Sequence, residues 1–471
     1  MNKKIIFMFL MISFAGCSLI PKTETRELVR AKDIITGTEE QEKLIFTEDN
    51  WWSIYDDETL NSLIKLVLSE NSDLKIAQLN IEKSNEAVKL AEAQGGLHID
   101  FSGNFKREKT SKNGTLLPPF GGKIFNIGTL GLEAGYDADI FNKFKSLAEE
   151  QKYRTEAVKI NSKWIEINVA GKIAKLYVYW KYLQEEEKNL TEQKNILVKV
   201  KNLYKKSIKI GTGTEENLWT LENNIRLLDS LIEENNMNKQ ITLNNLNILA
   251  GNESSEKIKE ILSQNTCSMD TIFAEKVKIP QSINSDIIVS RPDIEYYLML
   301  INAQEEHLKS AKADFYPRFS INGSYGFEAV NFNNVLKKGS ILGFIGPSIY
   351  LPIFHEGSIR SNYKIAGIDL NIFIEEYNKA VINAYNEIGN ELYKTKTLKK
   401  SLLNSDMNII NEKKILHENE KRLKIGTKSE YEYLLDKYNF TEKILSNKQE
   451  HLKYYVQQLN LINAAGGSYK K

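Results

Sequence analysis

An excess of charge of one sign is missing from this chain. Lys and Arg number 63 against 62 Asp and Glu in 471 residues, so the composition carries no footprint for nucleic acid. Beyond the N-terminal segment there is no run of about eighteen apolar residues, which leaves no transmembrane helix. Proline is scarce at eight residues, and a charged fraction of 27% suits long solvated helices better than a compact enzyme. The five histidines, His98, His307, His355, His417 and His451, show no metal-ligand spacing and read as surface or lumen residues. No nucleophile–base pairing or phosphate-cradling glycine loop occurs; "GGLH" and "AAGGS" read as loops or termini. Neither an enzyme nor a cofactor is expected.

What is present begins with "MNKKIIFMFLMISFAGCS". Lys3 and Lys4 precede an apolar run from Ile5 to Phe14, then Ala15-Gly16-Cys17. This reads as a secretory signal peptide over residues 1–16. Its end resembles the lipobox of bacterial lipoproteins, with Phe14 where Leu is usual, and the resemblance makes Cys17 the expected lipid attachment. Only Cys267 then remains, and one thiol forms no internal disulfide. An exported, anchored chain without an apolar helix has only strands with which to cross a membrane.

The second signal is a duplication. Leu74, Ala77, Ile81, Ser84, Val88 and Ala91 step by three and four, the spacing of a coiled-coil seam. Ile294, Tyr297, Ile301, Gln304, Leu308 and Ala311 repeat it 220 residues later. After each seam the period drops to two. Ile99, Phe101, Gly103 and Phe105 alternate with Asp100, Ser102, Asn104 and Lys106, as Phe319, Ile321, Gly323, Tyr325 and Phe327 alternate with Ser320, Asn322, Ser324 and Gly326. A partner strand follows in each half, through Leu130, Leu132, Ala134 and Tyr136, and through Ile341, Gly343, Ile345 and Ile349. Pro347 is expected to mark a strand end or bend in the latter. Long helices follow over roughly 143–210 and 357–424, each stopped by a basic turn and a glycine, Gly211 and Gly426.

The expected organisation is a lipid anchor and N-terminal segment over 17–70, then a first repeat over 71–280 and a second over 281–471. The first contains a β-hairpin at 99–137 and a helical hairpin with its tip near 211; the second has these at 318–350 and near 426. Four strands of some ten residues cannot close a barrel. Open edges are costly in lipid, so the expected fold is mainly α with a membrane β-barrel shared between copies. A soluble coiled-coil protein with two surface hairpins is the rival reading of the same patterns.

The chain resembles the TolC-type outer-membrane efflux factors, specifically the lipidated branch of nodulation-type and multidrug outer-membrane lipoproteins. The segments that carry the resemblance are "WWSIYDDETLNSLIKLVLSENSDLKIA" (51–77), "IPQSINSDIIVSRPDIEYYLMLINAQEEHLKSAKADFYPRFSINGSYGF" (279–327), "LPIFHEGSIR" (351–360) and "DIFNKF" (139–144). The resemblance implies a homotrimer with an α-helical periplasmic tunnel continuous with a twelve-stranded outer-membrane barrel, four strands per chain. It also implies a periplasmic adaptor and an inner-membrane pump as partners, outer-membrane lipid around the barrel, and export of small molecules. Protein or peptide secretion and metal-ion efflux are alternatives for the same duct; a non-conducting periplasmic scaffold or adhesin is a further rival.

By the same resemblance, the turn "RLKIGTKSEYEYLLDKY" lies at the closed periplasmic mouth, and Lys428, Glu430, Glu432 and Asp436 are candidate gate residues. Counting from Gly426-Thr427 puts Glu432 on one acidic position and Leu435 on the other; a one-residue insertion puts Asp436 there instead. The acids also fit a merely solvated helix surface. Tyr431, Tyr433 and Leu435 are candidates for a constriction, with helix packing as the other reading. Ser207, Gly211, Leu423 and Gly426 are the expected adaptor contacts.

Overall fold

The computed structural model describes residues 20–29, 50–116, 119–251, 255–264, 267–274, 276–277, 279–280, 282 and 285–467. The expected signal peptide and Cys17 lie outside them. After a 3-10 turn at Trp51–Tyr55 come helices α1 (Glu58–Glu70) and α2 (Ser72–Gln94), strands β1 (His98–Lys109) and β2 (Ile124–Ala138), then α3 (Lys143–Lys209) and α4 (Glu215–Ala250). Short helices α5 (Ser255–Gln264), α6 (Met269–Phe273) and α7 (Ser285–Val289) lead to α8 (Pro292–Ala313), β3 (Arg318–Ala329), β4 (Ile341–Tyr350), α9 (Ser358–Lys424) and α10 (Glu430–Ala464). The duplication is visible residue by residue. β3 starts and ends 220 residues after β1, while α9, like α3 a helix of 67 residues, starts and ends 215 after it.

Two compact units cut across this order: Met1–Leu28 with Asn80–Val158 and Tyr296–Tyr377, and Val29–Leu79 with Lys159–Glu295 and Asn378–Lys471. The first holds the sheet, a four-stranded antiparallel array in the order β1-β2-β3-β4. The register pairs Phe101 with Leu132, Leu132 with Tyr325, and Tyr325 with Gly343, so the alternating apolar positions of β1, β2 and β3 share one face with Ile341, Gly343, Ile345 and Ile349 of β4, while Phe125, Ile127, Leu342 and Phe344 fall on the other. Pro347 does not end β4; it pairs with Ile321 and the strand runs on to Tyr350. Within one chain β4 is an outer strand, so Pro347 interrupts no ladder to a further strand of the same chain. In the same unit the stretch around Thr23 lies on α9, where a Cβ at Gly367 would come within 2.7 Å of Thr23, and Asn371 exchanges hydrogen bonds with the Arg26 N–H and the Glu24 carbonyl, each 2.8 Å.

The second unit holds the large core. Asp57 starts α1 by accepting from the Leu60 N–H at 2.7 Å, and the helix buries Leu60, Leu63, Ile64 and Val67 along one stripe. That stripe meets Ile173, Ala174 and Tyr177 of α3, Leu246 of α4, Ile258 of α5, Phe273 of α6 and Leu459 of α10. At the edge of this core, polar side chains from four helices converge. His451 of α10 places Nδ1 2.9 Å from Asp270 of α6 and Nε2 2.8 Å from Asp406 of α9. Lys448 pairs with Asp270 and, at 3.0 Å, with Glu185 of α3, while the Tyr455 hydroxyl donates to Asp270 at 3.2 Å. Asn447 donates to Asp406 at 2.8 Å.

An imidazole with a carboxylate at each nitrogen must carry two protons to donate to both. Burial opposes the charged ring, but Asp270 and Asp406 outweigh it and raise the His451 pKa. Burial likewise opposes the Asp270 carboxylate, yet His451 and Lys448 bring its pKa down to about 2. The raised imidazole stabilises the fold below its ordinary value of roughly 6.5 and loses that contribution as pH rises through the folded value. The depressed carboxylate stabilises above roughly 3.9 and loses its contribution as pH falls toward acid. Urea midpoints measured across pH should therefore peak between these limits. His451→Gln should cost about 1–3 kcal/mol inside that window and flatten the alkaline arm; a parallel shift at every pH would contradict the charged-ring account.

Candidate functional site

The sheet offers two chemically different faces. On one, Phe101, Tyr325 and Ile345 are 72%, 60% and 82% exposed, a degree of apolar exposure that needs a non-aqueous neighbour. On the other, Ser102 donates to Glu133 at 2.9 Å, Ser320 to Asp137 at 2.5 Å and Asn322 to Ser348 at 2.9 Å, and Arg318 pairs with Asp137. These cross-strand bonds tie neighbouring strands through their polar side chains. Gly131 and Gly326 face each other across the β2–β3 seam, and a Cβ at Gly326 would lie 2.3 Å from the Leu130 carbonyl oxygen. Glycine is required there by the closeness of the backbones.

The helical tips, in the other unit, are built on one plan used twice. Gly211 and Gly426 both take φ 78°, the left-handed conformation that favours glycine after a helix. Gly211 N–H donates to the Ile208 carbonyl and Thr212 N–H to that of Ser207, each at 3.0 Å. In the second tip Gly426 N–H donates to Leu423 and Thr427 N–H to Arg422, again at 3.0 Å. Ser207 and Leu423 thus supply helix-ending carbonyls, and both side chains are half-buried. Thr212 and Thr427 add hydroxyl bonds to Ser207 and Arg422 at 3.1 and 3.2 Å.

The candidate gate residues divide by role. Glu432 completes a capping box: its carboxylate accepts from the Ser429 N–H at 2.9 Å and hydroxyl at 2.8 Å, and Ser429 Oγ accepts from the Glu432 N–H. The bond from the Ser429 N–H holds the Glu432 carboxyl below its ordinary range. Asp436 instead receives Lys428 at 2.6 Å and Asn419 at 2.8 Å on the same oxygen, fastening the turn and α9 to α10. Glu430 is exposed in the first turn of α10. Tyr431 lies 5.7 Å from the Tyr204 ring, and Leu435 packs with Leu197, Val200, Leu221 and Leu434. Both pack within one chain, while Tyr433 is half-buried at the same end of α10.

Two residues of the tips escape sequence reasoning. Tyr204, whose hydroxyl accepts from the Thr214 N–H and from Asn217, both at 3.0 Å, clamps the first turn. Asn419 does comparable work in the second and stands 215 residues later, the offset that relates α3 to α9. That offset is the signal that reveals them. It also exposes an asymmetry: Asp436 corresponds to Leu221 and Lys428 to Gly213, so the first tip is closed by a buried apolar residue and the second by an ion pair. Further links join the two hairpins, with Lys437 to Glu192 at 2.9 Å and Asn189 to the Thr441 carbonyl at 3.1 Å.

Comparison with known proteins places this architecture. Residues 63–251 and 284–466 match the model of the outer membrane efflux protein family. The chain is 26% identical over 410 residues to the putative multidrug resistance outer membrane protein MdtQ of Escherichia coli, covering 83% of this chain and 82% of that protein. It is 25% identical over 488 residues to the toluene efflux pump outer membrane protein TtgI of Pseudomonas putida, covering 100% and 99%. The fold is similar to that of the Campylobacter jejuni CmeC outer membrane channel, with a TM-score of 0.79, 24% identity, and 96% and 94% of the two chains covered. The open state of the Neisseria gonorrhoeae MtrE outer membrane channel gives a TM-score of 0.76 at 20% identity, with 96% and 98% covered. With most of its length matched by the family model, the chain belongs to the outer membrane efflux proteins.

Proposed function

We propose that three copies of this chain form the exit duct of a tripartite efflux system, passing small molecules from a periplasmic adaptor and inner-membrane pump to the cell exterior. As an outer membrane efflux protein the chain is a conduit and not an enzyme. The observation that carries the assembly is the sheet: four strands with one apolar exposed face, a second face holding the cross-strand polar bonds, and outer strands β1 and β4 each paired on one side only. Backbone groups left open in hydrocarbon cost several kcal/mol each. Joining β1 of one copy to β4 of the next removes every edge, and twelve strands enclose a wet lumen. A helical periplasmic tunnel then continues the barrel, with adaptor contacts at Ser207, Gly211, Leu423 and Gly426.

Cys17 carries the lipid anchor in this reading. At the periplasmic mouth Asp436 is the gate acid, because its carboxylate is bound by Lys428 and Asn419 while that of Glu432 is committed to the helix cap. Threefold symmetry makes three such links, and opening the mouth requires breaking them.

Deletion of the gene should raise cellular accumulation of a fluorescent efflux dye, with the full chain restoring export; unchanged accumulation across several dyes would speak against small-molecule efflux. Cys17→Ser should abolish fatty-acid labelling, and label retained on the variant would refute attachment at this residue. In planar bilayers Lys428→Ala or Asp436→Asn should increase conductance several-fold, whereas Glu432→Gln should leave it near that of the native channel. A current that responds to Glu432 and ignores Asp436 would reverse the assignment.

A further inference from the structure

The far end of the hairpins has a charge pattern that the conduit role leaves unused. Residues 106–123 and 328–338 carry seven basic side chains and two acidic ones, Glu108 and Glu328, in a chain whose net charge is only +1. Their placement is more telling than their number. Along the apolar face of β1, Ile99, Phe101, Gly103 and Phe105 are followed by Arg107 and Lys109, both exposed. Both acids lie on the polar face, where Glu108 takes Lys106 at 2.8 Å and Glu328 pairs in register with Thr129. Along β1 the face that meets lipid therefore ends in two cations, immediately beyond the Phe105 ring, with uncharged Asn126 and Ile124 opposite them on β2.

The β3–β4 loop adds to the same end of the same face. Phe332 stacks edge-on to Phe105 with ring centroids 5.4 Å apart. Val335, 2% exposed, fills the space over Gly128, where a Cβ would come within 2.7 Å of its methyl. Short turns at Phe332–Asn334 and Lys338–Ser340, with Ser340 Oγ donating to the Asn334 carbonyl at 2.8 Å, give the loop a defined path. Leu336 is left 74% exposed beside exposed Lys337 and Lys338. Among the described residues, no carboxylate pairs with Arg107, Lys109, Lys337 or Lys338.

We infer that Arg107, Lys109, Lys337 and Lys338 form a binding surface for phosphate-bearing lipid headgroups at the outer rim of the barrel, with Leu336 entering the acyl layer beside them. Arg and Lys both bind phosphate by charge-assisted hydrogen bonds, Arg in a two-pronged fashion. An apolar band capped by cations, with an exposed leucine beside the lysines, matches a surface lying at the boundary between acyl chains and anionic headgroups. The inference rests on the reading of the sheet as membrane-spanning.

The test uses the full-length chain reconstituted in phosphatidylcholine vesicles, alone, with bisphosphorylated lipid A, and with dephosphorylated lipid A. Bisphosphorylated lipid A should raise the temperature at which the assembled channel dissociates, and the dephosphorylated form should not. The combined Arg107→Gln, Lys109→Gln, Lys337→Gln, Lys338→Gln variant should lose the shift, and the charge-conserving set Arg107→Lys, Lys109→Arg, Lys337→Arg, Lys338→Arg should keep it. An equal shift in the native chain and the glutamine variant, or with the dephosphorylated lipid, overturns the inference. Should the glutamine variant fail to assemble, salt titration of the native shift decides: loss with rising salt supports headgroup binding, and insensitivity refutes it. Conductance of the same vesicles keeps the two readings apart. Absence of current in every mixture refutes the channel, whereas normal current without a phosphate-dependent shift refutes only the lipid surface.

Discussion

A β-sheet in hydrocarbon must leave no backbone donor or acceptor unpaired, and this chain reaches that condition only halfway. It carries two hairpins far apart in sequence, which alone would present four edges. Pairing β2 with β3 reduces them to two, and the closeness of that seam depends on Gly131 meeting Gly326. In the proposed assembly another copy supplies the rest. The need for assembly is therefore a property of the backbone, and the side chains decide only which face sees lipid.

The helical part answers a different demand. Its stability is concentrated in one unit, where α1 lays a short apolar stripe against α3, α4 and α10 and where Glu185, Asp270, Asp406, Lys448 and His451 tie four helices together. Toward the tips the apolar cluster narrows to residues such as Leu197, Val200, Leu221 and Leu434. There the two repeats diverge. Their glycine turns are nearly superimposable in hydrogen bonding, yet one is closed by Leu221 and the other by Asp436 with Lys428. Duplication supplies the scaffold, and two differences, Asp436 for Leu221 and Lys428 for Gly213, give one tip an ion pair that the other lacks.

Much of this was legible in advance because it is periodic. The switch from seam to alternation located the strands, and the basic turns followed by glycine located both breaks between the long helices. Pro347 does not end its strand, because the effect of a missing donor depends on whether the strand is central or outer, which no single strand records. The candidate gate acids were ambiguous because a one-residue shift in register exchanges Glu432 for Asp436, and counting along a helix does not show that Glu432 caps its own helix while Asp436 reaches a neighbour. Tyr204 and Asn419 passed unnoticed because the donors and acceptors they meet lie across a turn or on another helix.

The sequence by itself determined the repeat, the change of period and the two faces of the sheet, since these follow from side-chain spacing along a regular backbone. Only the tertiary structure decided which strands are outer, which acid is tied to Lys428, which aromatic residues are packing, and where the cations of β1 and the β3–β4 loop end the apolar face. Those are relations between segments distant in the chain. They depend on register and on the reach of individual side chains, and local periodicity carries neither.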